Sequence, residues 1–361
     1  MRFVDVNPFF YPYRGGIENR MNDTARLLTE MGHEVIILTS RLPGTEEEEV
    51  MEGGYRVIRL KSKFINVYNP PFVTSENVYE TLVSLDPDSV NYNYRWAPSY
   101  NKPMKRYDGR KLFTYHNMWG EGTGAMKVAS EFNDWRFRST LESFDHIISV
   151  SNYVKEDLVR RGIPADRITT IPNGFHCKPF VRGEEEDFIL SLGRIVKVKG
   201  LRYLIEAMKD IDSKLVVCGK GPELKKLEKQ AARMHLGDKV EFKGYVSEEE
   251  KHHLMDSCKL FVMPSLFEAF GIAAVELMSH GRPLVCTNVN GLPETVGDGA
   301  ITVDPKSPSQ LADAVNSLLS DDDYRFEMGE KARKQAESFA WENFTDLLER
   351  TVFGTKSEDR P

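Results

Sequence analysis

At 361 residues the chain is too long for one ordinary core, and a formal net charge of −7 leaves it no overall basic field with which to hold nucleic acid. Hydrophobic residues make up 40% and charged residues 29%, the balance of a water-soluble globular protein, and no apolar run is long enough to span a membrane. The opening "MRFVDVNPFF" lacks the charged and apolar regions of a signal peptide, and Cys177, Cys218, Cys258 and Cys286 form no C-x-x-C pair, so buried free thiols in a cytoplasmic protein are expected. Acidic runs at 46–49, 184–187 and 248–250 read as solvated loops or helix starts.

In chain order, "RFVDV" (2–6) reads as a strand, followed by the Pro/Gly loop "NPFFYPYRGG". Ile17, Met21, Thr24, Leu28 and Met31 then recur at spacings of four and three, one stripe of a helix that Gly32 ends. Further buried strands are expected at "EVIILT", "YRVIRL", "KLFTY", "HIISV" and "ITTIP". After the polar segment "KPFVRGEEED" (178–187) the alternation begins again with "FILSL", "SKLVVC", "KVEF", "LFVMP", "PLVC" and "AITV". Strand–helix–strand units of this kind need right-handed crossovers and build parallel sheets covered on both faces. The expected class is therefore α/β: two Rossmann-like, doubly wound parallel-sheet domains, 1–178 and 179–338, with a binding cleft between them. A final segment, 339–361, carries a helix with Trp341, Phe344, Leu347 and Leu348 that could pack on either domain.

Four Gly-containing loops fall where strands hand over to helices, the edge at which open α/β sheets bind ligands: "YRGGIE" (13–18), "GRIVKVKG" (193–200), "CGKGPE" (218–223) and "EAFGIAAVE" (268–276). None matches G-x-G-x-x-G or the P-loop, and any one alone reads equally as a tight turn. "GRIVKVKG" places Arg194 and Lys199 beside a helix N-terminus, which suits a bound anion such as a diphosphate. Glu268 and Glu276 stand in an otherwise apolar or small stretch. A helix opening at Gly271 puts Glu276 on a face with Ile272, Ala273 and His280, where it needs a hydrogen-bond donor, and ribose hydroxyls would serve.

The series of motifs resembles the retaining glycosyltransferases of family 4, of GT-B architecture. The matching pieces run in order across nearly the whole chain: Gly15–Gly16 after the first strand, "GHEVIILTS", His116 in "TYHN", "DHIISVS", "IPNGF", "GRIVKVKG", "VVCGKGPE", "VEFKGYV", Glu268 with Glu276, and "NGLPETV". The resemblance implies a nucleotide-diphosphate sugar as donor, bound without cofactor or metal, and a glycan or lipid-linked acceptor. Arg194 and Lys199 would hold the diphosphate, Glu276 the ribose, and Glu268 the transferred sugar. The amides of Phe270, Gly271 and Ile272 would touch sugar and phosphate, and His116 would lie near the reacting carbon. Gly15, Gly16 and Gly193 would let backbone approach the donor, and main chain at Lys243, Tyr245, Gly219 and Gly221 would line the base pocket.

The chain departs from the family's pattern at His176, where many members carry an acid, and at "SVNYNYRW" in the first domain. There Tyr94 and Arg95, with Arg14 and Trp119, are candidates for the acceptor, against an ordinary interior role. The cations Arg95, Lys102, Lys105, Arg106, Arg110 and Lys111 could meet anionic lipid at the inner membrane face, against a solvated loop. The rival functions are a nucleotide-sugar epimerase, a disaccharide phosphorylase, or a binding protein without turnover.

Overall fold

The computed structural model describes residues 1–65, 71–121, 124–176 and 183–354. The expected boundary at 178, Cys177 and the tail beyond 354 lie outside them. The chain divides into one unit of Met1–Gly174 with Glu342–Pro361 and a second of Phe175–Trp341.

The first unit contains β1 (Arg2–Val6), β2 (Glu34–Ser40), β3 (Glu48–Val50), β4 (Arg56–Leu60), β5 (Ser62–Ile65), β6 (Phe72–Ser75), β7 (Ser89–Tyr92), β8 (Lys111–Tyr115), β9 (His146–Ser149) and β10 (Ile168–Thr170). Its main sheet runs β10-β9-β8-β7-β1-β2-β4-β3, parallel except for edge strand β3, while β5 and β6 form a separate antiparallel pair. Strand order reverses beside β1, whose register puts Asp5 opposite Asn91 of β7. All five residues of "KLFTY" are buried, because helices cover both faces of a parallel sheet. The helix Gly16–Glu30 buries Met21, Thr24 and Leu28 of its predicted stripe, with Ala25 beside them. The last helix, Thr345–Phe353, packs on this unit: Leu348, Val352 and Phe353 join its core, and Val352 O accepts from Ser89 Oγ at 2.7 Å. Trp341 is fully buried in the second unit and donates its backbone N–H to Phe175 O at 3.2 Å.

The second unit contains β11 (Phe188–Leu192), β12 (Lys214–Cys218), β13 (Val240–Gly244), β14 (Leu260–Met263), β15 (Leu284–Thr287) and β16 (Ala300–Val303). The order β13-β12-β11-β14-β15-β16 is wholly parallel and reverses between β11 and β14. Apolar side chains from Leu204, Ile205, Val217, Val262, Val285, Leu311 and Val315 form its core. Cys218, Cys258 and Cys286 are buried free thiols, and burial pushes Cys286 up to about 12.

Two acidic runs are less solvated than their composition implies. Glu49 of β3 pairs with the buried guanidinium of Arg59, and Glu48 lies 2.6 Å from Arg56. Glu185 sits between two buried cations, bonding Arg282 and lying 2.7 Å from Arg325 Nη2. Arg282 also donates to Gly183 O and Asp256 O. The run lay in a polar segment, but two guanidiniums 97 and 140 residues along the chain need a counter-ion, and only the fold brings them to it. Replacing Glu185 by Ala should cost about 3–5 kcal/mol in urea unfolding, since it leaves buried Arg282 without a carboxylate and Arg325 with Asp322 alone, whereas Glu184→Ala should be near neutral.

Candidate functional site

The loops at the carboxyl edge of the second sheet bond to one another. Gly193 N–H donates to Cys218 O (3.0 Å), Ile195 N–H to Lys220 O (2.9 Å), Gly219 N–H to Gly244 O (2.6 Å), and Leu266 N–H to Val198 O (2.7 Å). Such close approach excludes side chains. A Cβ at Gly219 would lie 1.8 Å from Gly193 O, and one at Gly200 would lie 1.9 Å from Pro264 O, and both glycines have positive φ. A Cβ at Gly221 would lie 2.1 Å from Ile195 O. The glycines expected to line a base pocket therefore first hold the loops together, and the Gly219 amide is already committed to Gly244.

This stitching sets Arg194 and Lys199, on the loop after β11, beside Glu268, on the loop after β14, where the strand order reverses. Lys199 Nζ lies 3.0 and 3.1 Å from the two carboxylate oxygens of Glu268. Glu268 thus stands as the counter-ion of Lys199 in this structure. Arg194 is exposed, and no partner of its guanidinium is found among the described residues. Ser191, Leu192, Gly193, Arg194, Lys199 and Met263 line a small pocket there. Glu268 N–H approaches Asn290 Oδ1 at 3.4 Å, and Glu268 O accepts from Gly291 N–H at 3.0 Å, so "NGLPETV" fixes the Glu268 loop from behind.

Gly271 caps the short helix Ile272–Met278, with Phe270 buried against Phe339 and Ile272 half-buried. Glu276 finds its donor in Lys251 Nζ at 2.6 Å, a partner its own helix face did not disclose. Burial would lower the Lys251 pKa, but Glu276 and Glu248 outweigh it and raise it. Lys243 pairs with Glu241 and Glu250, and Tyr245 is 70% exposed with Lys220 Nζ 5.4 Å from its ring centroid. Among the described residues no group of three or more His, Cys, Asp or Glu is placed to hold a metal ion.

In the first unit, Gly15 caps the helix Gly16–Glu30, and Arg14 is exposed over the Tyr11 ring. His116 follows β8 and is half-buried. Its Nε2 lies 2.8 Å from Asn93 Oδ1. Asn93 Nδ2 donates to Asp5 Oδ1 (2.6 Å) and Asn91 Nδ2 to the same oxygen (2.9 Å), while Thr114 Oγ1 donates to Asn91 Oδ1 (2.9 Å). With the Asn93 amide spent on Asp5, its oxygen must accept from His116, which fixes the Nε2–H tautomer and leaves Nδ1 as an acceptor. Burial first, then Arg20 and Arg95, lower the His116 pKa well below its usual value, so the ring is neutral. Burial raises the Asp5 carboxyl to about 7, against the bonds from Asn91 and Asn93 and the charge of Arg20. Arg20 in turn donates to Pro172 O and Asn173 Oδ1.

Two of the acceptor candidates are otherwise engaged. Arg95 is 5% exposed, and its guanidinium bonds Asp134 and Met118 O and pairs with Glu121 at 3.3 Å, so it holds the interior together. Trp119 is half-buried with Arg161 5.1 Å from its ring centroid. Tyr94 is half-buried, edge-on to Phe9. The polar network behind His116 was missed, although two signals pointed to it: a lone acid in the apolar strand "RFVDV", and two asparagines at a spacing of two in "SVNYN".

Two parallel, doubly wound sheets in tandem, each offering loops at its carboxyl edge, define the GT-B class of glycosyltransferases. The chain belongs to the glycosyltransferases of family 4 and group 1: the family described as Glycosyltransferase Family 4 matches residues 14–178, and that described as Glycosyl transferases group 1 matches 176–335. An uncharacterized glycosyltransferase of Methanocaldococcus jannaschii is 26% identical over 92% of this chain and 93% of that protein. A GDP-mannose-dependent alpha-(1-6)-phosphatidylinositol dimannoside mannosyltransferase of Mycobacterium tuberculosis is 25% identical over 95% of this chain and 93% of its own. The solved Anabaena HepE structure, in complex with UDP and glucose, superposes with a TM-score of 0.81 at 17% identity, covering 98% of this chain and 99% of that one.

The Asp5 carboxyl yields a pH test. A folded value raised from 3.8 to about 7 stabilises the fold fully below 3.8, and that contribution is lost as pH rises through 7, worth about 4 kcal/mol in all. Asp5→Asn keeps an acceptor for both asparagines and cannot ionise, so its urea stability should fall less than the parent's between pH 5 and 8. Parallel profiles would show that Asp5 is already ionised at pH 5.

Proposed function

We propose that this glycosyltransferase moves a sugar from a nucleoside-diphosphate sugar to an acceptor hydroxyl with retention of configuration, the acceptor being a glycan or a lipid-linked glycan. The observation that carries this is the Lys199–Glu268 pair beside Arg194, whose exposed guanidinium has no partner among the described residues. Neither member is fully buried: Lys199 is 22% and Glu268 14% exposed at the side chain. An arriving diphosphate offers Lys199 a doubly charged partner and so releases the carboxylate. Glu268 then has both oxygens available to accept from hydroxyls of the transferred sugar.

Arg194 and Lys199 stabilise the charge that develops on the leaving diphosphate, an electrostatic role that needs no metal in this scheme. Glu276, held at its position by Lys251, accepts from the ribose. Tyr245, exposed beside Lys220, offers a face for the base. His116, neutral and fixed by Asn93, presents Nδ1 as an acceptor for a sugar hydroxyl. No carboxylate is assigned as a nucleophile; retention follows from attack on the face the diphosphate leaves, through an oxocarbenium-like state. Names of relatives support the donor and acceptor classes: one is a GDP-mannose-dependent phosphatidylinositol dimannoside mannosyltransferase, and another is solved in complex with UDP and glucose.

A thermal-shift series with UDP, GDP and ADP tests the donor site. At a hundredfold excess over Kd a ligand adds about 2.7 kcal/mol, so one nucleotide should raise Tm by several degrees. Arg194→Ala combined with Lys199→Ala should abolish that shift while leaving the fold intact. Glu268→Gln should keep nucleotide binding but cut turnover about 100-fold or more. A nucleotide shift that survives the double substitution would move the donor site elsewhere.

A further inference from the structure

The helix Ala125–Leu141 carries two unlike faces. Ser130, Asp134, Phe137 and Leu141 are buried against the first unit, with Asp134 bonded to Arg95. On the other side Val128, Phe132 and Trp135, at spacings of four and three, are 66%, 58% and 67% exposed. The Phe132 and Trp135 rings stack with centroids 5.9 Å apart, forming one continuous apolar surface. Large apolar side chains scattered singly need no account, but three in a stripe, two of them stacked aromatics, do.

The rim of the stripe is cationic. Arg136 Cζ lies 5.9 Å from the centroid of the Phe132 ring. Ser139 continues the stripe by one turn, and Lys105 Nζ reaches its hydroxyl at 3.1 Å from the neighbouring helix Pro98–Arg106. That helix also carries exposed Lys102, while its Arg106 lies over the Tyr79 ring, and the stripe's own helix adds Lys127 and Arg138. The carboxylates of Glu131 and Glu142 offset two of these charges, in the pairs with Lys127 and Arg138. The remainder is a local basic surface on a chain of net charge −7.

We infer that this stripe and its cationic rim dock the first unit on an anionic lipid surface, with Phe132, Trp135 and Val128 entering the headgroup region. Aromatic side chains with a polar edge settle at that depth, and each cation near an anionic leaflet adds attraction that salt weakens. A second copy of the chain suits the stripe less well. A twofold contact through it would set the two cationic rims against each other. The stripe belongs to the first unit and the proposed donor residues to the second, and docking there would hold the enzyme beside the lipid-linked class of acceptor proposed above.

Co-sedimentation of the full chain with vesicles of phosphatidylcholine, with and without added phosphatidylglycerol, tests this. Binding is expected only with the anionic lipid and should weaken as salt is raised. Phe132→Ser with Trp135→Ser should reduce it about tenfold or more, and Lys105→Glu with Arg136→Glu likewise. These positions are exposed, so an unchanged Tm and nucleotide shift will confirm that the variants are folded. Vesicle binding is read without a donor and nucleotide binding without vesicles, so either reading can fail alone. The inference is overturned if the parent does not bind, binds neutral vesicles equally well, or keeps its binding in the aromatic variant. A concentration-dependent dimer that the aromatic variant loses would also overturn it, in favour of a self-interface.

Discussion

Backbone-to-backbone contact between loops at the carboxyl edge of the second sheet is the constraint on which the donor side rests. Parallel strands all deliver their loops to the same edge, and each loop brings amides and carbonyls that need partners. Here the loops satisfy one another, Gly193 with Cys218, Gly219 with Gly244, Val198 with Leu266, and Glu268 with Gly291. Carbonyls come so close to Gly200 and Gly219 that no side chain fits at either position. The result is a closely bonded edge from which Arg194, Lys199, Glu268, Lys220 and Tyr245 project.

The ion pairs divide by the burial of their cations. Arg282 and Arg325 are 1% and 3% exposed at the side chain and share Glu185, and removing one ion from such a group costs too much for it to exchange partners. Glu268 is as buried as Glu185, at 14%, but its cation differs: Lys199 is 22% exposed, which suits the exchange of partners proposed above. The same chemistry, ammonium or guanidinium with carboxylate, therefore serves architecture in one place and is available for ligand exchange in another.

The first unit solves a different problem. His116 needs one defined tautomer, and a chain of neutral donors and acceptors supplies it, from Thr114 through Asn91, Asp5 and Asn93. Burial keeps the imidazole uncharged and holds the Asp5 proton to about 7, so the network carries little charge into the sheet. Arg20 links the helix after the Gly-Gly loop to Pro172 and Asn173, just ahead of Gly174, where the first stretch of this unit ends.

Period and punctuation in the sequence determined the two α/β repeats, most of the parallel strands and the loops that carry Arg194, Lys199 and Glu268, because buried parallel strands read as unbroken apolar runs and their turns as glycine. Short polar strands such as β3 and β5 gave no such signal, since edge and hairpin strands are half-solvated. The partner of each charge was decided only by the tertiary structure. Lys199 meets Glu268 across 69 residues, Arg325 meets Glu185 across 140, and His116 meets Asn93 across a strand crossover. Local pattern records which side chains a chain carries to an edge, whereas the order of strands in the sheet decides which of them stand face to face.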